Sequence, residues 1–103
     1  MYARIARFEG GERSWDEFAA GIGETLRNGG RGTPLETASD AIARMMLLVD
    51  REGNRGANLI LCETEDDLRR VDAALNAITP AGGRGPRTSV EMFEVLLDEV
   101  PGA

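Results

Sequence analysis

A chain of 103 residues has room for one modest hydrophobic core, and a formal charge of −6 argues against binding to nucleic-acid phosphates. It has no histidine, a single cysteine, and arginine at all twelve basic positions. Those absences exclude Ser-His-Asp and Cys-His nucleophile sets, histidine-ligated haem, zinc and non-haem iron, lysine Schiff bases, P-loops and an internal disulfide.

The opening Tyr2 to Phe8 mixes β-formers with small residues and ends at Gly10-Gly11, which predicts strand 1. Arg4 and Arg7 interrupt its short apolar stretch, so it does not read as a signal peptide, and no apolar run reaches membrane-spanning length. A soluble, cytoplasmic protein with no membrane partner is expected. Ser14 and Glu17 form a capping-box pattern, and Trp15, Phe18, Ala19, Ile22 and Leu26 then share one helical face, predicting helix 1 from about Trp15 to Arg27. Gly21 and Gly23 weaken that helix by about 1 kcal/mol each relative to Ala, which predicts close packing or a bend there.

Asn28 to Asp40 is rich in breakers and reads as a long surface loop, with Thr33-Pro34-Leu35-Glu36 starting at most a short turn. Ile42–Asp50 and Ala57–Glu63 are strand-like, and Gly53-Asn54 between them suits a two-residue II′ turn. Setting Glu52 opposite Arg55 places Arg44 opposite Glu63 and Val49 opposite Asn58. Thr64 and Asp67 begin helix 2, which Leu68, Val71, Leu75 and Ile78 continue and Pro80 with Gly82-Gly83 stops. The last strand is Ser89 to Asp98.

An antiparallel sheet with one wet face alternates apolar and polar residues along each strand. Met45-Met46-Leu47-Leu48-Val49 and Leu59-Ile60-Leu61-Cys62 do not. Two short helices cover one face of four strands, so the other needs a partner, and a second copy of the chain is the simplest cover. The fold class expected is α+β, with a four-stranded antiparallel sheet in the order β-α-β-β-α-β and residues 1–103 forming one domain.

Three stretches, Tyr2-Ala3-Arg4-Ile5-Ala6-Arg7-Phe8-Glu9-Gly10, Leu47-Leu48-Val49-Asp50-Arg51-Glu52-Gly53 through Glu65-Asp66-Asp67-Leu68, and Ser89-Val90-Glu91-Met92-Phe93-Glu94-Val95, resemble the dimeric α/β-barrel superfamily. Within it, the chain resembles the antibiotic-biosynthesis-monooxygenase-like (ABM) domains. The resemblance implies a ferredoxin-like subunit, two sheets facing each other in a homodimer, and a ligand pocket between each sheet and its helices. Haem-degrading relatives rely on a pocket histidine, which this chain lacks. Cofactor-free oxygenases of the family use pocket Asn, Trp, Arg and Tyr side chains, so Asn58, Trp15, Arg44 and Tyr2 stand as candidate pocket residues, with no catalytic role carried over to any of them.

Three of these candidates also have a plainer reading. Trp15 packs over strand ends, Asn58 sits at an edge or is satisfied in the core, and Arg44 pairs with Glu63 across the hairpin. Cys62, inside an apolar run, reads as a buried inert thiol. Glu63, Glu65, Asp66 and Asp67 read as negative charge at a helix start rather than as a metal site, and the two Gly-Gly-Arg-Gly stretches as mobile loops. No cofactor or metal is expected. The function expected is binding of a small apolar or aromatic ligand by a homodimer. The alternatives are a cofactor-independent monooxygenase acting on aromatic or polyketide-like substrates and a non-catalytic structural or regulatory dimerisation module. With one Trp, one Tyr and three Phe, a large aromatic-substrate pocket is disfavoured.

Overall fold

The chain's structure, a computed structural model, describes residues 1–11, 14–78 and 87–102. Its elements are β1 (Tyr2–Glu9), α1 (Trp15–Arg27), β2 (Arg44–Asp50), β3 (Arg55–Cys62), α2 (Glu65–Asn76) and β4 (Arg87–Glu94). The strands form one sheet in the order β2-β3-β1-β4, and every pair in it is antiparallel. The protein is therefore α+β, a four-stranded antiparallel sheet with two helices, compatible with a ferredoxin-like subunit. Among the described residues no helix is long and apolar enough to cross a membrane.

The two helices begin where their caps dictate. Ser14 Oγ accepts from the backbone N–H groups of Asp16 and Glu17 at 3.2 and 3.4 Å, and Thr64 Oγ1 accepts from that of Asp67 at 3.1 Å. Glu65 and Asp67 at the start of α2 pair with Arg69 and Arg70 along the same helix, so their charges are used locally. Leu68, Val71 and Ala74 turn inward and meet Ile60 and Cys62 of β3, forming the main core. A smaller cluster joins Ala6 and Phe8 of β1 to Trp15 and Phe18 of α1. Phe8 and Trp15 each meet Phe18 edge-on, with ring centroids 5.7 and 6.1 Å away.

The segment between α1 and β2 is more than a surface loop. It holds two 3₁₀ turns, Pro34–Thr37 and Ser39–Ala41, and buries Leu35, Ala38 and Ala41 in the main core. The first Gly-Gly-Arg-Gly stretch is likewise built rather than loose. Gly30 has φ +74°, and a Cβ there would lie 2.8 Å from the Leu35 backbone. The second stretch, at Gly82, and the helix stop at Pro80 lie outside the described residues.

The hairpin differs from expectation. Arg44 pairs with Leu61 and Val49 with Gly56, a register two residues away from the one that sets Arg44 opposite Glu63. The cause is the turn, which spans the four residues Arg51 to Asn54 instead of two. Asp50 accepts from the Gly53 N–H at 3.1 Å and from Arg55 Nε at 2.9 Å, and Asn54, not Gly53, takes the left-handed φ of +50°. A two-residue shift keeps every side chain on its face, because the strand period is two. β4 ends at Glu94, which pairs with Tyr2, so Leu96, Leu97 and Asp98 lie beyond the strand assigned to them. At Gly23 the three atoms nearest to an added Cβ all belong to the guanidinium of Arg27 on the same helix, the first at 3.1 Å, so among the described residues no other element packs closer.

Candidate functional site

Strand alternation sorts the candidate residues between two faces. Arg4, Ala6 and Phe8 of β1 point toward the helices, and their partners on β3 are Ile60, Asn58 and Gly56. Asn58 therefore stands in the middle of the helix-covered face, flanked by Ala6 on β1 and Leu47 on β2. It is 8% exposed, and its Oδ1 is buried with no hydrogen-bond partner. A buried amide oxygen left unpaired costs about 1–3 kcal/mol, which makes it the polar group with the strongest demand for a ligand or water on this face.

Trp15 occupies the neighbouring position on the same side. Its ring lies over Gly56, two residues or about 7 Å along β3 from Asn58. A Cβ on Gly56 would come within 2.8 Å of the indole, so the glycine makes room for it. The indole Nε1 donates to Asn54 Oδ1 at 3.0 Å, and Arg51 pairs with Asp16 at 2.8 Å. The start of α1 is thus fastened to the hairpin turn. Hydrogen bonding and the charge of Arg51 hold the Asp16 carboxyl below the usual carboxylate range.

Tyr2 shares the helix-covered face but pairs with Cys62 at the opposite end of β3, where it packs on the main core. Arg44 lies on the other face and is exposed, so it does not join the other three. Cys62 is fully buried, and burial, then the nearby Asp67 charge, pushes its thiol up, disfavouring the reactive thiolate.

Two residues that spacing did not single out complete this face. Ala6, 1% exposed, is a small side chain beside the Asn58 amide. Arg4, also 1% exposed, is a buried cation held by Asp72 at 2.8 Å and Asn76 at 3.3 Å, both on α2. Arg87 reaches the Leu75 carbonyl at 3.4 Å near the end of α2, and burial, then repulsion from Arg4, lowers its guanidinium pKa. The parity of β1 was the available signal for Arg4, since it shares a face with Ala6 and Phe8.

The opposite face carries Ile5 on β1, Met46 and Leu48 on β2, Leu59 and Leu61 on β3, and Phe93 on β4, and among the described residues no helix lies over them. Leu48 is 51% and Phe93 48% exposed. At its hairpin end this face dips into a hollow of about 350 Å³, floored by Leu48 and Ala57 and bordered by Arg7, Glu9, Asp50 and Arg55. No family model, no curated protein and no solved structure matches the chain.

Proposed function

We propose that the chain is an ABM-like homodimeric domain that binds a small apolar or aromatic ligand between its sheet and its helices. The observation that carries this reading is the orphaned Oδ1 of Asn58 amid apolar surroundings. A ligand hydroxyl or N–H satisfies that acceptor, while Leu47, Ala6 and the Trp15 ring beside it favour an apolar body. The dimer half of the proposal draws support from the uncovered apolar face, because exposed patches of this kind mark interaction sites.

The ligand is tested with 2-naphthol against 2-methoxynaphthalene, which differ in a hydrogen-bond donor. Saturable quenching of Trp15 fluorescence and a rise in melting temperature with 2-naphthol, at least tenfold weaker with the methyl ether, are expected. Equal responses to both, or to neither, sink the ligand reading. Light scattering on a size-exclusion eluate tests the dimer, where a monomer mass at micromolar concentration overturns it.

A further inference from the structure

After Glu94 the chain leaves the sheet and projects. Val95 N–H still donates to the Met1 carbonyl at 2.9 Å, but Leu96, Leu97 and Val100 are 88%, 76% and 86% exposed. Three large aliphatic side chains on one short unpaired segment are costly to leave in water.

Resting on the dimer proposed above, we infer that residues 95–102 form an exchange arm that seats Leu96, Leu97 and Val100 in the hollow on the open face of a second copy. The first argument is reach. β4 runs antiparallel to β1, so the arm departs at the Tyr2 end of the sheet, whereas the hollow sits at the Glu9 and Arg55 end. Reaching its own hollow means doubling back along the full strand length, about 26 Å for eight residues, with an arm of the same length. A two-fold axis lying across the strands, in the plane between two facing sheets, exchanges those ends. Each arm then starts at the end of the sheet where the other subunit's hollow lies and reaches it by crossing one or two strands, about 5–10 Å, and the contact is reciprocal.

The second argument is area. Four strands of this length present a projected face of roughly 26 by 19 Å, about 500 Å² per copy. A stable interface of standard size buries about 800 Å² per partner, and the two arms supply surface toward the difference. The third is chemistry. The hollow has an apolar floor in Leu48 and Ala57 inside a rim whose charges are already matched, Arg55 with Asp50 at 2.9 Å and Arg7 with Glu91 at 3.5 Å, and the arm brings Leu96, Leu97 and Val100 to it. The arm's apolar side chains meet an apolar floor.

The test compares the full chain with one ending at Val95, and with a full-length Leu96→Ser/Leu97→Ser variant in case the shortened chain misfolds. Both should dimerise at least a hundredfold more weakly. In a Cys62→Ala background, a chain carrying Leu97→Cys, mixed with a differently tagged chain carrying Ala57→Cys, should be joined by a short bismaleimide. If both altered chains dimerise within threefold of the full chain and no cross-link forms, the arm is overturned while the sheet-to-sheet dimer stands. Cross-linking only within a doubly substituted single chain also overturns it, since the arm then folds onto its own subunit. A full chain that is monomeric throughout fells both readings.

Discussion

Replacing Asn58 by Leu separates a binding amide from an ordinary core residue. Asn58 is 8% exposed between Ala6 and Leu47, its Oδ1 has no partner within the protein, and leaving such a buried oxygen unpaired costs about 1–3 kcal/mol. Leu has the same branching and number of side-chain heavy atoms, removes that penalty and adds apolar burial. The variant should gain at least about 1 kcal/mol, and for a domain of this length each 1 kcal/mol moves the melting temperature by about 4–8 °C. Asn58 lies on the helix-covered face, so the dimer should persist. In the same melts the extra stabilisation by 2-naphthol over 2-methoxynaphthalene should vanish, because the acceptor that distinguishes them is gone. A gain in stability with loss of donor discrimination is the signature of a group kept for binding at a cost in stability. A variant that melts lower by several degrees refutes the reasoning, because the amide is then partnered in the native protein.

Three further outcomes follow from local geometry. Gly56→Ala places a Cβ 2.8 Å from the indole of Trp15 and 3.0 Å from the Leu48 carbonyl, so urea unfolding should register a loss of about 1–3 kcal/mol; an unchanged midpoint shows that Trp15 does not rest on β3. Gly23→Ala, which meets only the flexible end of Arg27, should instead stabilise α1 by about 1 kcal/mol, and a loss there points to a packing partner for the helix backbone. Asp16 and Asp50 are both held below the usual carboxylate range in the folded chain, Asp16 by hydrogen bonding and the charge of Arg51 and Asp50 by the Gly53 N–H and then Arg55. With folded values depressed, their contribution is fully present above the unfolded carboxylate range near pH 4 and is lost as pH falls from there through the lower folded values. Thermal melts from pH 5 to 2 should show a shallower acid slope for Asp50→Asn than for the parent, and identical slopes contradict the assignment.

Much of the architecture was legible because it depends on signals a few residues apart. The Ser14 and Thr64 caps and the apolar spacing behind them set both helix starts, and Gly10-Gly11, at φ +68° and +93°, ends β1. The hairpin register was not legible, because it turns on which residue becomes left-handed. Gly53 has the intrinsic freedom, but the Asp50 carboxylate binds Gly53 and Arg55 while Trp15 binds Asn54, and those contacts favour a longer turn. One of those partners, Trp15, is more than thirty residues away, so no local rule contained the answer. The burial of Leu35, Ala38 and Ala41 was hidden for the opposite reason. Breakers announced a loop correctly, but they carry no information on whether that loop lies over a core.

The site was legible by residue type and not by face. Asn58, Trp15, Tyr2 and Arg44 were chosen for their chemistry, and strand parity then separates them: three share the helix-covered face, with Arg44 on the other. The same parity explains why β3 looked uniformly apolar. Ile60 and Cys62 fill the core under α2, while Leu59 and Leu61, pointing the other way, build the uncovered face. A single apolar run thus serves two different burials, one completed within the chain and one left open. Asn58 is the polar exception on the closed side of that strand and Arg55 the polar exception on the open side, beside the hollow. The ligand contact and the subunit contact proposed above therefore fall on opposite faces of the same strand, which is why a substitution at Asn58 and one at Leu97 should fail in different assays.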